Sequence, residues 1–188
     1  MSGENFTDGS GAKPASYYYL TELSGIRADE NTTNNNALSE NVSGSVSRVY
    51  GLFGLSAVSM SAPASKSISL SDASLSAGFP GKVGVADQSV TWGAWIKATT
   101  TTSGPTIRVI FAKRYSWALI HDTGGVAVWV FDDAYGLGSS AWQPLSVDVW
   151  THAAGRWVQS TGAITLFVNG KVAASDTRAT MVQDGGGR

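Results

Sequence analysis

The fold is decided by residues 150–174, which read WTHAAGRWVQSTGAITLFVNGKVAA. Two runs rich in strand-forming residues, 150–158 and 163–168, are separated by the short polar break 159–162. Asn169-Gly170 then leads into a third run, and this dipeptide is a strong hairpin signal because both residues tolerate positive φ. The stretch therefore predicts three antiparallel strands in succession.

Strand patterns continue upstream of this stretch. Residues 89–97 place Val90, Trp92, Ala94 and Ile96 on one face of a strand, because successive side chains alternate. Further strands are predicted at 17–23, 46–49, 57–62, 67–71, 106–113, 116–121 and 126–131. No segment keeps an apolar period of 3.6 residues over a helical length. The sequence therefore predicts an all-β fold, a sandwich or a barrel.

The chain of 188 residues is expected to form one folded domain with flexible ends. Residues 1–15 are polar, rich in glycine and without periodicity, which predicts an N-terminal arm. Residues 181–188 contain a run of three glycines before the terminal arginine and predict a Gly-rich tail. The β-sandwich is accordingly expected over residues 16–180.

The composition excludes several classes of partner. Only 14% of the residues are charged, and 13 Lys and Arg against 14 Asp and Glu leave a net charge of -1. Nucleic acids and anionic membranes are held largely by positive charge, so we expect no nucleic-acid partner. No apolar run reaches the length that spans a bilayer, so we expect no membrane insertion. The absence of cysteine excludes disulfides and thiol chemistry.

Four motifs carry a resemblance to a known family. They are YYLTELSG at 18–25, SVTWGAWIK at 89–97, WTHAA at 150–154 and LFVNGK at 166–171. In this order they resemble the laminin-G-like, or concanavalin A-like, lectin/glucanase superfamily over about residues 17–177. The resemblance implies an all-β, two-sheet antiparallel jelly-roll sandwich and a binding rather than a catalytic role.

The acidic residues do not form the pattern of a glycoside hydrolase. Hydrolases of this fold place two carboxylates on alternate residues of one strand, so that both point at the same sugar. Asp132 and Asp133 are consecutive, and a regular strand would send them to opposite faces. The only histidines, His121 and His152, are expected to be structural, as a turn cap and a strand residue. We therefore expect no enzymatic activity.

The aromatic residues offer a candidate ligand site. Trp92, Trp150 and Trp157 are expected in the core, whereas Trp117 and Trp129 fit either the core or the surface. One group lies in the loop region after residue 131 and is the best ligand-facing cluster, consisting of Trp142, Tyr135, Asp132, Asp133 and Gln143. These residues would bind a glycan. The alternative is that Trp142 plugs one end of the sandwich.

A structural calcium ion is a second expectation, and it follows from the resemblance. Relatives hold calcium between the loop after the first strand and a late strand, which implies Asp29, Asn31, Asn35 and Asp176 as ligands. Their hard oxygen atoms suit calcium. The alternative, which the sequence favours, is an Asn-rich turn whose side chains bond to its own backbone.

Three functions from different classes remain open. The first is a non-catalytic structural module on the surface of a bacterial virus, a capsid decoration or tail fibre protein. It would associate with itself and with other virion proteins, and would attach to cell-surface glycan. The second is a secreted, extracellular carbohydrate-binding domain, and the third, which is disfavoured, is a glycoside hydrolase of the same fold. The virion setting is preferred because the N-terminus has neither the basic start nor the apolar run of a signal peptide.

Overall fold

The computed structural model describes most of the second half of the chain and parts of the first. The described residues are 18, 26, 36–40, 47–52, 56–59, 67–99, 107–122, 125–132 and 137–183. By its contacts the chain divides into two compact units, Met1–Phe79 and Pro80–Arg188. The predicted arm lies outside the described residues, and the predicted domain bounds stay a prediction. Met181 and Val182, which the sequence assigns to the tail, are buried.

The first unit contains short paired strands. β1 (Ser39–Glu40) pairs with β4 (Ile68–Ser69), and β2 (Ser47–Tyr50) pairs with β3 (Ser56–Ser59), both antiparallel. Asn36 is fully buried and fixes the chain beside them, because its Oδ1 accepts the Ser76 N–H at 2.8 Å. Its carbonyl oxygen accepts the Tyr18 hydroxyl at 2.5 Å.

The second unit contains two four-stranded antiparallel sheets. The strands are β5 (Val90–Lys97), β6 (Arg108–Lys113), β7 (Trp117–Asp122), β8 (Gly125–Phe131), β9 (Leu137–Ser139), β10 (Trp150–Val158), β11 (Ala163–Val168) and β12 (Lys171–Thr177). The front sheet has the order β12-β11-β10-β5, and the back sheet has the order β6-β7-β8-β9. The described residues include no α-helix, and a 3-10 turn covers Asp72–Ser74. The predicted all-β fold with antiparallel sheets is confirmed.

Residues 150–174 form three antiparallel strands in succession, as predicted. β10 pairs with β11, and β11 pairs with β12 across the Asn169-Gly170 turn. Both turn residues have positive φ, 50° and 78°. β5 adds to the other side of β10, so that the front sheet is built from strands distant in sequence.

The core lies between the two sheets of the second unit. The Trp92 ring of β5 stacks on the Trp117 ring of β7 with centroids 4.9 Å apart, which joins the sheets. Trp157 is buried as well, and its Nε1 donates to the carbonyl oxygen of Arg178 at 2.9 Å. Around these rings lie side chains with no exposed surface, namely Leu119, Ile164, Leu166, Val126, Val128 and Val130. Trp92 and Trp157 are therefore core residues, as predicted, and Trp117 joins them.

The prediction that Trp150 is a core residue is wrong. Trp150 is only half-buried, whereas Trp157 on the same strand is buried. The two residues are seven positions apart, an odd number, so that a regular strand points them to opposite faces. Trp150 therefore lies on the outer face of the front sheet.

His121 gives the fold a pH dependence. This half-buried residue is the last but one of β7, and burial lowers the pKa of its imidazole, with a further decrease from the nearby Arg108 and an opposing effect of Asp122. The unfolded chain, with a histidine pKa of about 6.5, then binds the proton more readily than the folded chain. We expect the His121 contribution to stability to be complete above this value and to fall as the pH drops below it.

Urea unfolding of the wild type and of His121→Gln between pH 7.5 and 5 measures this contribution. The wild type should lose more free energy of unfolding than the variant as the pH falls. Parallel pH profiles would show that His121 makes no contribution of this kind.

Candidate functional site

The outer face of the front sheet presents an ordered set of side chains to solvent. Strand alternation places Thr91, Gly93 and Trp95 on this face, opposite to the core residue Trp92. The register of the four strands then aligns the outward-facing residues in rows that run across the sheet. Three of these rows make a continuous surface.

The first row is aromatic. Trp95 of β5 lies directly opposite His152 of β10, and the two rings are 5.2 Å apart between centroids with an angle of 56° between their planes. Half of the Trp95 surface, 50%, is exposed. The His152 backbone is held by Asn169, whose Oδ1 accepts the His152 N–H at 3.0 Å and whose own N–H donates to the His152 carbonyl at 2.8 Å. The hairpin turn therefore fixes the strand that supports the exposed indole.

The second row forms a low floor beside the indole. Gly93 lies opposite Ala154, and Ala154 lies opposite Phe167, which in turn lies opposite Val172. A Cβ atom on Gly93 would come within 2.9 Å of the Ala154 Cβ, so that a larger residue at position 93 would need its neighbour to shift. Glycine and alanine thus leave a shallow depression between Trp95 and the next row.

The third row is polar. The register aligns Thr91, Arg156, Thr165 and Ser175 across all four strands. Residues directly opposite each other in antiparallel strands have Cβ atoms about 5 Å apart, so the Arg156 guanidinium has threonine side chains on both sides. Arg156 is exposed, and no ion pair to it is found among the described residues. The row therefore offers one fixed positive charge and three hydroxyl groups.

The charge on this face is positive. Among its described strand residues are Lys97 and Arg156, and no carboxylate. Lys97 lies 3.7 Å from Asp148 in the turn before β10, but both side chains are exposed, and such pairs are weak. An exposed indole beside a low floor and a row of donors suits a flat ligand that has one apolar face and polar edges.

Of the described members of the predicted ligand cluster, Asp132 lies apart from Trp142 and Gln143. Gln143 pairs with Val126 at the start of β8, and Asp132 follows the end of β8. The six positions between Val126 and Asp132 correspond to about 20 Å along a strand. Trp142 lies beside Gln143, whose Nε2 donates to the Trp142 carbonyl at 3.0 Å. Asp133 and Tyr135 lie outside the described residues.

Asp132 and Trp142 each have a structural contact. The Asp132 carboxylate accepts a hydrogen bond from Arg178 Nη1 at 3.1 Å, and the two side chains are 20% and 31% exposed. Trp142 is half-buried and packs, with Trp129, against Ala118, Ile120 and Ala127 on the outer face of the back sheet. Trp142 therefore packs on a face of the back sheet and not at an end of the sandwich, where the alternative placed it.

Trp142→Ala is expected to lower stability because it removes this packing. A fully buried tryptophan contributes about 3–5 kcal/mol, so the half-buried Trp142 should contribute about 2 kcal/mol. Urea unfolding followed by tryptophan fluorescence measures the loss of unfolding free energy. Trp142→Phe should lose about half as much as Trp142→Ala. An unchanged midpoint for Trp142→Ala would mean that the ring contributes nothing to the packing of the back sheet.

The predicted calcium ligands are only partly visible. Asp29, Asn31 and Asn35 lie outside the described residues, and Asp176 is exposed on β12, where it pairs in register with Ile164. Calcium binding therefore stays a prediction. His152, expected to be structural, lies half-buried on the outer face, in contact with Trp95.

Sequence reasoning missed Trp95, although a signal for it was present. The alternation that points Trp92 and Ile96 inward points Trp95 outward. What the sequence lacked was the register that sets Trp95 opposite His152, a residue 57 positions later, since long-range pairing is not encoded in either strand alone.

Comparison with known families adds to this geometry. The sequence model of Laminin_G_3, described as the concanavalin A-like lectin/glucanases superfamily, matches residues 65–188. The chain belongs to this superfamily. The match spans β4 to β12, so that both sheets of the second unit, with all three rows of the outer face, belong to the lectin/glucanase part of the chain.

One solved structure gives a further comparison with this member of the superfamily. It is domain 4 of AbnA, a GH43 extracellular arabinanase from Geobacillus stearothermophilus, in complex with arabinotriose. The TM-score is 0.56 at 18% identity, and the alignment covers 88% of this chain and 81% of the other. At this identity the likeness shows a shared fold. No curated protein sequence matches the chain.

Proposed function

We propose that the protein is a non-catalytic carbohydrate-binding module whose ligand lies on the outer face of the front sheet. The observation that carries the proposal is the half-exposed Trp95, supported by His152 and adjoining the floor of Gly93 and Ala154. A sugar ring has a flat apolar face and a polar rim. The indole provides the matching apolar surface, and the row through Arg156 and Thr165 provides hydrogen-bonding groups.

The shape of the face favours an oligosaccharide over a single sugar. The row of Trp95 and the row of Arg156 are four strand positions apart, or about 14 Å. Between them the floor is low and open, so that the chain of a glycan could run from one row to the other. A monosaccharide could occupy only one of the two rows.

The comparisons support a sugar ligand in general terms. The superfamily takes its name from lectins and glucanases, and the domain of the arabinanase was solved with arabinotriose. Arabinotriose is a trisaccharide, the size of ligand that the 14 Å spacing of the rows favours.

The distribution of carboxylates supports the absence of catalysis. A retaining glycosidase needs two carboxylates about 5 Å apart, and an inverting one needs two somewhat farther apart. Each strand that the structure describes carries at most one carboxylate, and the strand residues of the outer face carry none. We propose a module that holds its glycan and does not cleave it.

The biological setting stays a prediction. None of the residues described forms a helix long and apolar enough to cross a membrane. A virion surface protein that associates with itself should copurify with virus particles and sediment as an oligomer, whereas a secreted lectin-like domain should be found in the medium. Particle composition and analytical ultracentrifugation distinguish the two.

A glycan panel tests the proposed function. The panel comprises arabinotriose, linear and branched arabinans, β-glucans, galactans and acidic plant and bacterial polysaccharides, with binding measured by calorimetry. Ligand binding should shift the NMR signals of the indole N–H of Trp95 and of the Thr91 and Thr165 backbone, with no release of reducing sugar. A panel without any binding, or signals shifted only on the back sheet, would contradict the proposal.

A further inference from the structure

We infer that the outer face of the front sheet selects glycans that carry carboxylate groups, the uronic acid class. This inference rests on the proposed function and concerns its specificity. It depends on the position and surroundings of one residue, Arg156, in the polar row.

Arg156 lies where a carboxylate would be bound well. Its side chain is exposed in the middle of the sheet, with Thr91 on one side and Thr165 on the other. A guanidinium presents a planar fork of donors that matches the two oxygens of a carboxylate, and the adjacent hydroxyl groups can bond to the sugar that carries it. Arg178, in contrast, is already paired with Asp132.

The distribution of charge points the same way. The whole chain has a net charge of -1, but the described strand residues of this face carry Lys97 and Arg156 and no carboxylate. A neutral glycan would gain nothing from this separation of charge. An anionic glycan would be attracted to the face and repelled by acidic groups elsewhere on the chain.

The spacing of the rows sets which part of the ligand is recognised. The row of Trp95 and the row of Arg156 are about 14 Å apart along the strands, so that a sugar next to the one stacked on Trp95 is better placed to reach the guanidinium. We expect the recognised carboxylate on that neighbouring sugar of the same chain. The inferred ligand is therefore an oligomer or polymer that contains uronic acids, and a free uronic acid should bind much more weakly.

A pair of polymers that differ only in charge tests the inference. The probes are polygalacturonate and the same polymer after chemical reduction of its carboxyl groups, titrated at moderate salt by calorimetry. The wild type should bind the reduced polymer about three- to tenfold more weakly, because an exposed charge-assisted contact is modest. Arg156→Gln should lose most of this preference, with a remainder due to Lys97, and Arg156→Lys should keep a larger part of it.

Matched controls distinguish the possible outcomes. Arg108 is an exposed arginine of the back sheet, and Arg108→Gln should keep the full preference for the charged polymer.

Several outcomes would overturn the inference. Equal binding of both polymers by the wild type, or binding to neutral glycans alone, would overturn it and leave the proposed function intact. Tight binding of polyglutamate would overturn it too, since charge without sugar would then suffice. A protein that binds no glycan at all would overturn both.

Discussion

Trp95→Ala is expected to weaken glycan binding at least tenfold while leaving the fold intact. The half-exposed indole is the largest apolar surface that the outer face presents to a ligand, and an aromatic side chain at the centre of a contact contributes about 2 kcal/mol or more to binding. This value corresponds to a factor of about 30 in the dissociation constant. Trp95→Phe, which keeps a smaller ring, should fall between alanine and the wild type.

The stability of this variant should change little. Trp95 contacts His152 across the strands, and a cross-strand pair of this kind contributes less than about 1 kcal/mol. The matched control is Val109→Ala, which removes an exposed apolar side chain from β6 of the back sheet. This control should bind glycan as the wild type does.

The decisive measurement is calorimetric titration of the three variants with the glycan that the wild type binds best. Unchanged affinity in Trp95→Ala would place the ligand elsewhere and would contradict the proposed site. If glycan affinity fell equally in Trp95→Ala and Val109→Ala, the loss of affinity would come from a general change in the protein and not from the outer face.

The fold could be predicted from local patterns because they carry most of its information. The alternation in residues 89–97 and the Asn169-Gly170 turn gave the strands of the front sheet and its tightest hairpin. These signals depend only on neighbours in sequence, since side chains alternate and the turn needs residues that accept positive φ. β9, a strand of only three residues, gave no such signal.

The candidate site could be predicted less well, for a physical reason. The predicted cluster joined residues that are close in sequence, Asp132 and Trp142, but β8 separates their positions by about 20 Å. The outer face joins Trp95 to His152 and Arg156 to Thr165, and only the strand register makes these pairs. Register follows from packing of the whole sheet, which a single sequence does not reveal.

The Trp150 prediction failed for a related reason. A family motif indicated a strand residue, and the size of the ring suggested burial. Trp150 and Trp157 are an odd number of positions apart, so that only one of them can point into the core of a regular strand. Counting positions from Trp157 would have placed Trp150 on the outer face.

Gly155→Ala is expected to lower the free energy of unfolding by about 3 kcal/mol, because the space beside Gly155 is filled from both sheets. A Cβ atom there would come within 2.7 Å of the Trp92 ring and 2.9 Å of a Val128 methyl group. Trp92 cannot move away easily, since it is buried and stacked on Trp117. Adding a methyl group to a filled core typically costs about 1–3 kcal/mol, and contact with a locked ring places this case at the upper end.

Urea unfolding followed by tryptophan fluorescence measures this loss selectively. All seven tryptophans lie between residues 92 and 157, in the second compact unit, so the signal reports on the two sheets and not on residues 1–79. Ala112→Val is the control, because it adds methyl groups to an exposed residue of β6 in the same unit. It should leave the fluorescence transition nearly unchanged, since substitutions at exposed positions change stability little.

A double-mutant cycle with Trp92→Phe identifies the cause of the loss. If the added methyl group is costly because it meets the Trp92 ring, the smaller phenylalanine should relieve the clash. Gly155→Ala should then cost about 1 kcal/mol less in the Trp92→Phe background than in the wild type. Additive losses would mean that the cost of Gly155→Ala arises in the backbone and not from contact with the Trp92 ring. This result would contradict the explanation that only glycine fits at position 155 because Trp92 packs against it.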